Sequence, residues 1–96
     1  MPAITNKQDI IAYFEEKKQR KTTEGDAYIQ ALDHLLALLN ETESISAIKS
    51  AVRTLHRNEL KEIQNAESAE LRIELRKKLA LYDDCLMQLR NLPAQA

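Results

Sequence analysis

The stretch that decides the fold is residues 26–92, DAYIQALDHLLALLNETESISAIKSAVRTLHRNELKEIQNAESAELRIELRKKLALYDDCLMQLRNL. It contains no glycine and no proline, the two residues that most strongly interrupt regular structure. Its apolar residues recur at intervals of three and four, which is the spacing of one helix face. The sequence therefore predicts an all-α protein, a small antiparallel bundle of three to four helices.

Helix boundaries follow from the apolar spacing and from residues that can cap helix ends. The expected helices cover about residues 6–20, 23–40, 45–66 and 69–91. Thr5 is the expected cap of the first helix, in a reciprocal capping box with Gln8. Thr22 or Thr23 is expected to start the second helix, whose carboxylates in the first turn complement the helix dipole. The most regular apolar stripe of the chain lies on this second helix and consists of Tyr28, Leu32, Leu35 and Leu39.

The last two predicted helices could also be one long helix. Apolar residues before position 67 and those after position 70 form two stripes about a third of a turn apart. Because a straight helix of ~70 Å cannot present both stripes to one neighbour, we expect a turn within residues 65–70, with Ser68 as the cap. Tight turns between helices usually contain glycine, and this segment has none. A second turn is expected at residues 40–44, with Thr42 and Ser44 as candidate caps.

Length and composition limit the kind of protein. Ninety-six residues form at most one domain, and such a chain buries only ~60–65% of its unfolded surface, so the core is thin and association as a dimer is expected. Residues 93–96 should form a short disordered tail. The single cysteine, the lack of a secretory signal and the absence of any apolar run near 20 residues predict a cytoplasmic protein without membrane contact.

Charge is unevenly distributed, and one basic pattern is the candidate binding site. Residues 22–48 contain no lysine or arginine, whereas Lys49, Arg53, Arg57 and Lys61 follow at intervals of four. We call these four residues the basic ridge, because this spacing aligns them along one side of the third helix. They are the predicted partner-binding residues. The ridge would steer an acidic protein surface, while leftover apolar residues of the first and last helices would supply affinity. The plain alternative is a solvated flank.

Other polar residues have simple structural interpretations. The basic tract at residues 17–21 is expected to be solvated, and Asp83 with Asp84 is expected to be a solvated pair, since adjacent helical side chains diverge by ~100°. Cys85 is expected in the core, with its pKa raised by burial and nearby carboxylates. His34 and His56 each lack a second ligand at the spacing of a helical metal site.

No catalytic, cofactor-binding or metal-binding residues are predicted, and no small-molecule substrate. With Gly25 as its one glycine, the chain offers no phosphate-binding loop, so an enzyme is not expected. An enzymatic function would require a pocket that contains His34, His56 or Cys85 beside a carboxylate.

The sequence predicts a small helical protein-binding module, in the role of an adaptor, chaperone or inhibitor. It would dock on another protein through helix faces and change that protein's behaviour. Two alternatives remain open. The basic ridge could instead contact the phosphates of a nucleic acid, or the chain could be a structural homodimer with no other partner.

Overall fold

Four helices make up most of the protein in a computed structural model that describes residues 6–20 and 25–92. They are α1 Lys7–Arg20, α2 Asp26–Glu41, α3 Ile45–Asn65 and α4 Ala69–Arg90. No strand occurs in these two ranges, so the predicted all-α bundle is confirmed. The observed helix ends lie within one residue of the predicted ends, except at the start of α2. The predicted tail at residues 93–96 lies outside the described residues.

The starts of α1 and α2 differ from the predicted capping. The side-chain oxygen of Asn6 accepts a hydrogen bond from the amide of Asp9 at 3.0 Å, so Asn6 caps α1. Thr5, Thr22 and Thr23 lie outside the described residues. Helix α2 follows Gly25, whose φ of 108° belongs to a region that favours glycine. The second helix therefore begins at residue 26 rather than residue 23.

The two predicted serine caps are confirmed. Ser44 accepts a hydrogen bond from the amide of Ala47 at 3.2 Å, and Ser68 accepts one from the amide of Leu71 at 3.1 Å. The last two helices are thus separate. Their connection needs no glycine because Ala66, with φ −67° and ψ 131°, leaves the helix in an extended conformation open to any L-residue.

One hydrophobic core receives side chains from all four helices. The apolar stripe predicted for α2 is buried in full, and α1 adds Ile10, Ile11 and Phe14. Because these three are at most 5% exposed, the first helix has no large apolar residue left for a partner, contrary to the prediction. The remaining buried members of this core are Ala31, Ile48, Val52, Leu81, Tyr82, Cys85, Leu89 and Leu92.

Contacts between helices show how the bundle is arranged. The ammonium of Lys7, at the start of α1, donates to the carbonyl of Thr42, just after α2, at 3.2 Å. Lys18, near the end of α1, forms an ion pair with Asp33 in the middle of α2. The start of α1 therefore lies beside the end of α2. The antiparallel order of the whole bundle stays a prediction, with which these two contacts agree.

The α3–α4 hairpin extends past the start of α2. A Cβ on Gly25 would lie 3.4 Å from a carboxylate oxygen of Glu74, in the second turn of α4. Leu71 lies one turn earlier and is 46% exposed. Leu71 belongs to the apolar stripe that the sequence predicts after position 70, and the structure corrects its expected burial. The reason is that α2 begins beside Glu74, so it does not reach back to cover Leu71.

Although α3 and α4 have 21 and 22 residues, no helix in residues 6–20 and 25–92 has an apolar stretch that could cross a bilayer.

Candidate protein-docking surface

The basic ridge lies on the outer side of α3. Arg53, Arg57 and Lys61 are exposed and Lys49 is half-buried. Their positions follow from the packing of the helix, since Ile48 and Val52 face the core and are fully buried. Within residues 6–20 and 25–92, no carboxylate forms an ion pair with any of the four cations. The structure thus places the predicted partner-binding residues together on one solvent-facing side.

An exposed leucine belongs to the same surface. Leu60 is 40% exposed and follows Arg53 by seven residues, so the two lie within about 20° of each other around the helix axis. Arg57 and Lys61 flank it in sequence. We call the basic ridge together with Leu60 the α3 surface. It combines an apolar contact with four positive charges.

The basic residues of α1 have a different environment. The ammonium of Lys17 lies 2.9 Å from a carboxylate oxygen of Asp84 on α4, and Lys18 pairs with Asp33 on α2. Arg20 pairs with Glu16 one turn earlier. The prediction that residues 17–21 are simply solvated is therefore wrong for Lys17 and Lys18, which are half-buried and paired with other helices, whereas Arg20 is exposed as predicted. Residue 21 lies outside the described residues.

Asp84 is the centre of a polar cluster that joins α1 to α4. Its carboxylate accepts hydrogen bonds from the hydroxyl of Tyr13 at 2.6 Å, from Lys17 at 2.9 Å and from Gln88 at 3.2 Å. Burial alone would raise the pKa of Asp84, but these hydrogen bonds and the charge of Lys17 outweigh it and lower the pKa. The predicted solvated pair is wrong here, since Asp84 is a half-buried acceptor.

The same cluster shifts the pKa values of its other two members. Burial raises the pKa of Tyr13, and the hydrogen bond to Asp84 adds to this. Burial would lower the pKa of Lys17, but the hydrogen bond and charge of Asp84 raise it overall. Each shift favours the state in which the tyrosine is neutral and the lysine charged. The cluster is suited to fastening two helices rather than to transferring protons near neutral pH.

A largely buried ion pair joins α3 to α4. The ammonium of Lys78 lies 2.8 Å from one carboxylate oxygen of Glu59. The other oxygen of Glu59 is buried without a hydrogen-bond partner. Burial would lower the pKa of Lys78, but the hydrogen bond and charge of Glu59 raise it overall. Sequence reasoning missed this pair, although Glu59 follows Val52 by seven residues and so lies on the buried stripe.

The two histidines lie in different environments. His56 is half-buried, and its Nε2 atom lies 2.7 Å from a carboxylate oxygen of Asp83, whose side chain remains exposed. His34 borders an open hollow of about 190 Å³ between α2 and α4. The hollow is lined by Ala27, Gln30, Ala31, His34, Lys78 and Tyr82, none of which is a carboxylate.

Cys85 has the predicted environment. It is fully buried in the core, and burial, with a smaller effect of Asp84, raises the pKa of its thiol to about 12. A thiol with this pKa is almost entirely protonated near neutral pH and is a poor nucleophile.

In residues 6–20 and 25–92, no group of three or more histidine, cysteine, aspartate or glutamate side chains is arranged to hold a metal ion. Polar contacts that join two helices within these ranges include the Asp84 cluster and the pairs Lys18–Asp33, Glu59–Lys78 and His56–Asp83.

Comparison with known proteins identifies no relative. No protein-family model matches the chain, no curated protein matches it, and no solved structure matches it.

Proposed function

We propose that the protein is a protein-binding module that docks on an acidic surface of a partner through the α3 surface. The observation that supports this most is that four cations at helical pitch, with an exposed leucine among them, have no ion-pair partner within the described residues. Docking would change the partner's behaviour, as expected of an adaptor, chaperone or inhibitor.

The division of roles follows from the chemistry of the surface. Arg53 and Arg57 would accelerate encounter with an acidic partner and set its register, because charge complementarity acts mainly on association rate and specificity. Leu60 would supply apolar burial at the centre of the contact. Lysine and arginine on an exposed helix contribute little to folding, so the ridge is available for this role at almost no cost in stability.

The first experiment is affinity capture from native lysate with the intact chain as bait, followed by titration of the purified captured protein. The test variant is Arg53→Glu combined with Arg57→Glu. The matched control is Arg20→Glu with Arg90→Glu, which makes the same change in net charge at exposed positions outside the α3 surface. We expect at least a tenfold loss of affinity for the test variant and about wild-type affinity for the control. Equal affinities for all three proteins would refute the proposal.

The same ridge also supports the nucleic-acid alternative, and one measurement separates the two. Four cations that displace phosphate counterions would give an affinity for duplex or single strands that falls steeply with salt. Fluorescence anisotropy with labelled duplex and single-stranded probes at low salt detects such binding. If the chain binds these probes and the Arg53→Glu, Arg57→Glu variant does not, the nucleic-acid function replaces the protein-docking function.

A further inference from the structure

The outer side of α4 carries the two most exposed large apolar side chains of the described chain. Ile73 is 54% exposed and Met87 is 57% exposed. Both follow a spacing of seven residues through exposed Ala80, so all three lie within about 40° around the helix axis. This side points away from the core residues of α4, which include Tyr82 and Leu89.

The charged residues on this side are basic before Ala80 and acidic after it. Arg76 and Lys77 lie on the side of Ala80 toward the start of α4, and Asp83 and Asp84 lie on the side toward its end. Ile73 and Met87 are each seven residues from Ala80. The order along the helix is therefore apolar, basic, small, acidic and apolar. We use the name α4 outer face for these seven residues: Ile73, Arg76, Lys77, Ala80, Asp83, Asp84 and Met87.

We propose that the α4 outer face binds the same face of a second copy of this chain, with the two α4 helices antiparallel and a twofold axis at Ala80. Because the twofold axis passes by Ala80, two residues that face each other across the contact have numbers whose sum is about 160. Each such contact occurs twice. Ile73 then packs on Met87 of the other copy, and the small Ala80 lets the helices approach closely.

The charges fit this arrangement and disfavour the parallel one. Arg76 and Asp83 lie to one side of the line through Ile73, Ala80 and Met87, and Lys77 and Asp84 lie to the other. In an antiparallel pair, residues on the same side of this line face each other. Arg76 therefore lies opposite Asp83 of the second copy, and Lys77 opposite Asp84. A parallel pair in register would place each charge opposite a like charge. Arg76 and Asp83 are the stronger contributors because both are exposed, although Asp83 also contacts His56. Asp84 is half-buried and already bound by Tyr13 and Lys17.

The proposed contact is distinct from the α3 surface. It uses only α4, and none of its residues belongs to the basic ridge. A dimer formed in this way would carry two copies of the α3 surface. Because the contact is a single short helical stripe with a charged rim, we expect a weak dimer, detectable at low salt and at about 0.1–0.5 mM chain.

The test exploits the twofold pairing of position 76 with position 83. Arg76→Glu alone creates two repulsive contacts between acidic groups, and Asp83→Arg alone creates two between basic groups. A mixture of the two variants restores attraction at both contacts. Sedimentation equilibrium of the full chain should show a wild-type dimer, about tenfold or greater weakening for each variant alone, and recovery on mixing. A wild-type monomer at these concentrations, or no recovery on mixing two folded variants, would overturn the proposal.

A second pair of variants keeps the test valid if Asp83→Arg, which loses the contact with His56, fails to fold. Ile73→Asp places a charge in the apolar part of the contact, and Leu71→Asp places one at an exposed leucine outside the α4 outer face. We expect Ile73→Asp to abolish the dimer and Leu71→Asp to leave it intact. Equal dimerisation of these two variants would also overturn the proposal.

Discussion

Helices α1 and α3 each carry a series of lysine and arginine residues, yet these side chains have different surroundings. Lys17 and Lys18 of α1 bind carboxylates on α4 and α2. Arg53 and Arg57 of α3 are exposed and form no ion pair within the described residues. The difference arises because α1 lies against two helices that present aspartates to it, whereas no other helix of the described residues presents a carboxylate to the outer side of α3.

Basic charge at helical spacing therefore has no single structural role. On α1 the charges fasten the bundle, and on α3 they remain available for a partner. Substitutions at Lys17, Lys18 or the carboxylates that they bind should therefore change stability. Substitutions in the α3 surface should change binding alone.

The largest expected difference is between the losses in free energy of unfolding caused by truncating a core residue of α1 and the exposed leucine of α3. Phe14→Ala removes a fully buried ring and should lower the free energy of unfolding by about 3–5 kcal/mol. Leu60→Ala should lower it by about 0.5 kcal/mol or less, since Leu60 is 40% exposed. Urea denaturation followed by circular dichroism measures both. Comparable losses would mean that the α3 surface is part of the core.

The next effect concerns the ion pair inside the α3–α4 hairpin. Lys78→Met leaves the carboxylate of Glu59 without its cation, and this carboxylate already has one oxygen lacking a hydrogen-bond partner. The free energy of unfolding should fall by about 2 kcal/mol. The double variant Glu59→Leu, Lys78→Met removes both charges and should return to within about 1 kcal/mol of wild type. A double variant as unstable as the single one would contradict this explanation.

A smaller, pH-dependent effect on the free energy of unfolding is expected at the Asp84 cluster. Asp84→Asn should lower the free energy of unfolding by about 1 kcal/mol near neutral pH, because Lys17 loses its charged acceptor. The pKa of Asp84 is lowered from 3.8 by folding, so its contribution is complete above that pH and is lost as the pH falls through the lower folded-state value. The difference between wild type and variant should therefore shrink in acid.

The matched control for that cluster is Asp33→Asn, which alters a more exposed ion pair with Lys18. It should change the free energy of unfolding by less than about 0.5 kcal/mol. A difference between wild type and Asp84→Asn that stayed constant from neutral to strongly acidic pH would exclude the charged hydrogen-bond acceptor as its cause.

The smallest effect on stability is expected at the ridge itself. Arg53→Ala with Arg57→Ala should change the free energy of unfolding by no more than about 0.5 kcal/mol, and in the stabilising direction if repulsion between cations four residues apart matters. Thermal unfolding at low and high salt measures this. A loss of 2 kcal/mol or more would show that these arginines have partners within the protein.

Much of the fold could be predicted because its determinants are local. The apolar spacing of α2 and the serines at positions 44 and 68 specify the helices, since a cap acts within four residues of its helix start. The start of α2 was misplaced because a threonine is a common cap, while Gly25 begins this helix through its backbone conformation.

The contacts between helices could not be derived in the same way. The environment of Asp84 depends on Tyr13 and Lys17, more than sixty residues away in the chain. The four-residue spacing of Tyr13 and Lys17 puts both on one helix face, and this is the one local signal that could have suggested a common partner. The positions of the ridge residues are predictable from helical pitch, but the absence of ion pairs to them among the described residues depends on which helices surround α3.

We propose that the α3 surface, rather than a pocket or the Asp84 cluster, contacts the partner. The most direct measurement is backbone amide chemical-shift mapping of the isotope-labelled chain as the captured partner is added. We predict that the largest shift changes occur at Arg53, Arg57 and Leu60, with little change at Lys17 and Asp84. Changes concentrated around His34 in the hollow between α2 and α4, or along α1, would contradict the account.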